Sequence, residues 1–88
     1  MEVQVGRVSH YFSHLEVAGI ELTGELKVGD RIRIKGHTTD LVQPVNSIEI
    51  EHHKVDKAGP GDSIGIKVTD HVREHDAVFV VPPGETTN

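Results

Sequence analysis

Eighty-eight residues carry nine lysines and arginines against fourteen aspartates and glutamates, with no cysteine. That length is one domain, near the lower limit of what a single core holds together unaided. The net charge of −5 argues against a general polyanion binder, and the missing thiols exclude disulfides and thiolate metal sites.

In chain order, Val3 and Val5 alternate with polar residues, and Gly6 followed by a shifted Val8 predicts a bulge in a strand that runs on to Tyr11. Phe12-Ser13-His14 reads as a tight connection, because Ala18, Ile20 and Leu22 resume the alternation and complete an antiparallel hairpin. Gly24 breaks it, and Glu25 to Val28 lead into Gly29-Asp30, which is turn chemistry. From there Ile32 and Ile34 face one way and Arg31, Arg33 and Lys35 the other, a period of two that ends at Gly36. Thr38 to His52 reads as a long extended stretch that changes phase at Asn46-Ser47, with Pro44 placing it at a bend or an edge. Gly59-Pro60-Gly61-Asp62 is a turn, with anion cradling as a lesser alternative. Ile64, Ile66 and Val68 alternate after it, and Ala77 to Val81 form the last strand.

A turn-into-strand device recurs. Gly29-Asp30-x-Ile32-x-Ile34 returns as Gly61-Asp62-x-Ile64-x-Ile66 and, loosely, as His75-Asp76-x-Val78-x-Val80. The spacing is irregular, so this is no solenoid. About six short β-branched strands with no convincing helix predict an all-β, closed or nearly closed barrel over residues 1–81. The segment 82–88 is expected to be a disordered tail. No apolar run reaches the roughly 18–20 residues that span a bilayer, and the N-terminus lacks a signal-peptide core. The expectation is a soluble, cytoplasmic protein with no membrane partner.

Three segments, Gly6-Arg7-Val8, Gly24 to Ile32 and Lys57 to Ile66, together resemble the second domain of translational GTPases of the elongation factor Tu kind. Arg33-Ile34-Lys35-Gly36-His37-Thr38-Thr39-Asp40 looks like the barrel at the C-terminus of collagenase-like peptidases linked to tRNA modification. It also looks like small freestanding elongation-factor-like proteins. The resemblance implies a six-stranded Greek-key barrel of the translation type and a place near RNA or translation. It carries over no catalysis, since the chain has no Gly-x-x-x-x-Gly-Lys-Ser/Thr phosphate loop and so no nucleotide site. That family has glycine where this chain has His75, which leaves the geometry of the third turn open.

The candidate binding surface is basic. Arg31, Arg33 and Lys35 project from one strand, with Arg7 on another, and His37, Thr38 and Thr39 follow as donors. The competing reading is a solvated face whose arginines pair with acids of neighbouring strands. His71-Val72-Arg73-Glu74-His75 matches the H-x-x-E-H metalloprotease string. That chemistry needs a helix, and here the string falls in a connection between strands. A looser metal site could gather His10, His14, His52, His53, His71 and His75, since imidazole suits Zn, Ni or Cu, with histidines on wet loops and strand faces as the commoner reading. The expectation is therefore a non-enzymatic binding module without a cofactor, docking tRNA, rRNA or a translation or tRNA-modification protein. A protein-only interaction adaptor is the alternative, and a histidine-based metal binder comes last.

Overall fold

The computed structural model describes residues 2–82. Ten strand segments carry the chain: β1 (Val3–Phe12), β2 (Val17–Leu22), β3 (Leu26–Lys27), β4 (Arg31–Lys35), β5 (Asp40–Pro44), β6 (Ile48–Ile50), β7 (His53–Val55), β8 (Lys57–Ala58), β9 (Ser63–Lys67) and β10 (Ala77–Val81). Eight of them form one antiparallel sheet in the order β5-β4-β10-β1-β2-β9-β6-β7, and β3 pairs with β8. The all-β class is as expected. The final strand ends at Val81 as read, while the expected tail lies, from residue 83 on, outside the described residues.

Closure into a six-stranded barrel is not what strand pairing gives. The ladder has two ends, β5 and β7, with no pairing between them among the described residues. The β5 side is instead tied by a side chain. Buried Gln43 donates from Nε2 to the Lys67 carbonyl at 2.8 Å and accepts at Oε1 from the Thr69 N–H at 2.9 Å.

Alternation does the packing. Ile20, Ile32, Ile34, Ile64, Ile66 and Val78 are all buried in one core, and each such side chain contributes ~1.5–3 kcal/mol of burial. The bulge expected near Gly6 is there, the β1–β10 register shifting between Gln4 and Gly6. Pro44 sits at the end of edge strand β5, where its missing donor costs no ladder bond.

The three recurring turns are superposable in their bonding. Lys27, Gly59 and Arg73 each donate a backbone N–H to the Oδ2 of the aspartate three residues on, at 3.0, 2.9 and 2.9 Å. Asp30, Asp62 and Asp76 return their own N–H to those residues' carbonyls. The residue before each aspartate has positive φ: 100° at Gly29, 90° at Gly61 and 76° at His75. Its N–H bonds the carbonyl of Val45, Leu22 or Val8, each of which donates back to the aspartate carbonyl. The histidine therefore adopts the geometry of the glycines it replaces.

The β6–β7 hairpin was not expected. Its two-residue turn, Glu51-His52, has φ of 49° and 67°, the left-handed pair that hairpin turns require.

Candidate functional site: two outer faces of the sheet

Strand register brings most of the basic candidates together. Arg7 pairs with Ala77 and Ala77 with Lys35, so Arg7 and Lys35 lie in one cross-strand row of the β1-β10-β4 face, about 10 Å apart at the usual strand spacing. Arg33 and Arg31 follow along β4. The face is not a free cationic surface, however. Arg33 Nε bonds Glu2 Oε2 at 3.1 Å and its Nη1 bonds Asp40 Oδ1 at 2.7 Å, leaving the side chain 17% exposed. Arg31 and Lys35 are exposed beside this cluster. Thr38 Oγ1 accepts from Arg73 Nε at 2.9 Å. Thr39 is buried and its carbonyl accepts from the Gly36 N–H, so it closes the loop rather than facing a ligand. His37 is exposed.

The histidines are dispersed. His71 packs at a tilt against Tyr11 with ring centroids 4.5 Å apart, and His75 forms the third turn. His52 and His53 lie at and after the β6–β7 turn. Residues 71–76 contain no helix, so the H-x-x-E-H string lacks the scaffold its chemistry needs. Among the described residues, no group of three His, Asp or Glu side chains stands close enough to hold a metal ion. No helix among them is long and apolar enough to cross a membrane.

A second surface escaped the reading of the sequence. On the opposite stretch of the sheet, register aligns His10, Gly19, Gly65 and Glu49 in one outward row across β1, β2, β9 and β6. Two adjacent glycines at its centre leave a gap two strands wide. It opens as a trough of about 360 Å³, walled by Phe12, Leu15 and Val17, at the small end of ligand sites. Phe12 and Leu15 are 45% and 62% exposed. His10 packs edge-on against Phe12, ring centroids 4.5 Å apart, and its Nδ1 lies 3.4 Å from Glu74 Oε2. Glu49, Glu51 and His52 complete the rim, and no lysine or arginine lines it. The available signal was glycine in the outward phase of two strands, where close approach by another molecule is a common reason for it.

An uncharacterized protease of Methanocaldococcus jannaschii is 40% identical over 81 residues, covering 91% of this chain and 20% of that protein. A collagenase of Porphyromonas gingivalis is 41% identical over 80 residues, covering 89% of this chain and 19% of the relative. The chain thus spans about a fifth of the length of these relatives. Elongation factor 1-alpha of Pyrobaculum aerophilum matches less of it, 45% identical over 58 residues and 66% of the chain, which is 13% of that factor. No protein-family model matches. In structure, the C-terminal domain of a Geobacillus thermoleovorans protein described as a U32 peptidase superposes with a TM-score of 0.82 at 19% identity, over 86% of this chain and 96% of that one.

The chain is similar in sequence to a fifth of these protease and collagenase chains, and in fold to the C-terminal domain of the Geobacillus protein. The likeness to elongation factors is real but shorter. These matches overturn the expected RNA-docking translation module. The error has a physical origin: the turn-and-strand residues that carry the translation resemblance are the ones that build the fold, and a shared fold does not fix a function.

Proposed function

We propose that this chain is a non-catalytic accessory domain of the U32 peptidase kind, which holds a polypeptide beside a catalytic unit made of other residues. The observation that supports this reading is the placement of the matches. They run over nearly the whole of this chain yet over only about a fifth of proteins named protease or collagenase. The same reading takes the ten segments as a six-stranded Greek-key barrel of the translation type, with the Gln43 amide bridging the seam.

Two measurements test it together. The purified chain is assayed for hydrolysis of gelatin, and a chimera of the P. gingivalis collagenase carries this chain in place of its matching 80 residues. The expected result is no hydrolysis by the chain alone and turnover by the chimera within about threefold of the parent, equivalent to less than ~1 kcal/mol in the barrier. Hydrolysis by the chain itself, or a chimera no better than the collagenase lacking that stretch, overturns the proposal.

A further inference from the structure

We infer that the trough between β1 and β6 docks an apolar side chain of a polypeptide partner, flanked in that partner by lysine or arginine. The inference rests on the accessory-domain reading for its class of partner and adds the site and its chemistry. Three observations carry it.

The first is shape. Adding a Cβ to Gly65 would bring it within 3.3 Å of Val17 Cγ1, and one on Gly19 within 3.3 Å of Ser9 Oγ. The floor is therefore glycine backbone, flanked by Val17 beside Gly65 and by Ser9 and the Phe12 ring beside Gly19, closely enough that any side chain there would fill it. Glycine inside a strand weakens the strand, because it loses more entropy and packs nothing. Here two glycines pair directly with each other, Gly19 with Gly65. The floor thus carries that cost twice in one place.

The second is apolar exposure. Among the described residues four large hydrophobic side chains are exposed, and two of them, Phe12 and Leu15, wall this trough. Leu15 lies in the β1–β2 turn, where nothing in the core requires it. Clustered apolar exposure beside a concavity is the mark of a contact surface rather than of scattered surface hydrophobes.

The third is charge, which selects the occupant. Glu49 and Glu51 stand on the rim, and neither forms an ion pair among the described residues. With no lysine or arginine lining the trough, a phosphate or carboxylate would face Glu49 and Glu51 with only the His10 and His52 imidazoles and two serines to receive it. A leucine or phenylalanine seated on the glycine floor, with cationic neighbours reaching the rim carboxylates, satisfies both chemistries at once. Such a segment gains from apolar burial at the centre and from charge at the edge.

The probe is a fluorescein-labelled peptide, Lys-Lys-Leu-Phe-Lys-Lys, titrated with the full chain by fluorescence anisotropy. Saturable binding is expected, at least about tenfold tighter than for the Lys-Lys-Ser-Ser-Lys-Lys control. Leu15→Ser with Phe12→Ser is expected to weaken it at least about tenfold, and Glu49→Lys with Glu51→Lys by as much. Arg31→Ser, on the other face, is expected to leave it unchanged. All of these positions are exposed, so the variants are expected to fold.

No saturable binding up to about 1 mM, the millimolar regime of ~4 kcal/mol, overturns the inference. So does equal binding of the serine control, which would reduce the contact to charge alone. A concentration-dependent dimer in sedimentation, abolished by Leu15→Ser and unaccompanied by peptide binding, makes the occupant a second copy of the chain and equally overturns it. Because binding is read on the chain alone, its failure is separable from failure of the collagenase chimera.

Discussion

The Gln43 side chain stands in for a peptide group opposite Thr69. Its oxygen accepts from the Thr69 N–H at 2.9 Å while its nitrogen donates to the Lys67 carbonyl at 2.8 Å. The backbone beyond β9 thereby finds partners that strand β5 does not otherwise give it. Gln43→Leu keeps the volume and orphans both groups. The expected loss is about 2–4 kcal/mol in urea unfolding, since an unsatisfied buried donor or acceptor costs ~1–3 kcal/mol. Gln43→Glu keeps the acceptor but faces the Lys67 carbonyl with a second oxygen, so it is expected to rescue only part of that loss.

His75 is the turn residue to relax. It is held at φ 76° where the equivalent positions are glycine. A left-handed conformation costs a side-chain-bearing residue ~1–2 kcal/mol, against ~0.4–1 kcal/mol of extra freedom that glycine gives the unfolded chain. His75→Gly is therefore expected to stabilise by about 0.5–1 kcal/mol, a Tm rise of a few degrees for a domain of this size. His75→Val is expected to destabilise by more than that, because a β-branched side chain tolerates this region worst. A lower Tm for the glycine variant would show that His75 makes a contact worth more than its backbone strain.

What could be seen beforehand, and what could not, divides along one physical line. Ile32, Ile34, Ile64 and Ile66 announce their strands because burial selects every second residue, and all four are buried. The three aspartate turns were legible because Gly-Asp repeats in the chain, and the third survives even with histidine in place of glycine. The Glu51-His52 turn was hidden, since it is not one of the Asn-Gly, Asp-Gly or Gly-Gly pairs that announce a two-residue hairpin turn. The seam through Gln43 is a single long-range side-chain contact with no periodic trace. On the basic face, sequence spacing placed Arg31, Arg33 and Lys35 together, but Glu2 lies 31 residues from the Arg33 it neutralises. The trough arises from register, which sets Gly19 beside Gly65 across 46 residues of chain.

That neutralisation is itself measurable. Arg33→Met removes both charge-assisted bonds, to Glu2 and Asp40, and leaves the aliphatic stem in place. Because the site is partly exposed, the expected loss is about 0.5–1.5 kcal/mol, and it shrinks as salt is raised toward 1 M. Arg31→Ala and Lys35→Ala, whose side chains have no ion pair among the described residues, are expected to stay within about 0.5 kcal/mol of the parent. Equal losses for all three variants in urea unfolding would mean that the face acts as one network rather than through Arg33.

The β6–β7 hairpin offers the last test. Ile50 pairs with His53, so Glu51 and His52 alone make the reversal, both with positive φ. Asparagine and glycine adopt this pair of conformations with far less strain than glutamate and histidine. Glu51→Asn with His52→Gly is expected to stabilise the chain by about 1 kcal/mol in urea unfolding without altering the sheet. The same change removes a rim carboxylate and the His52 imidazole from the trough while leaving Glu49, Phe12 and Leu15 in place. Stability and peptide affinity should therefore move in opposite directions in this one variant. A variant that gains stability and keeps full affinity would place the electrostatic contribution on Glu49 alone.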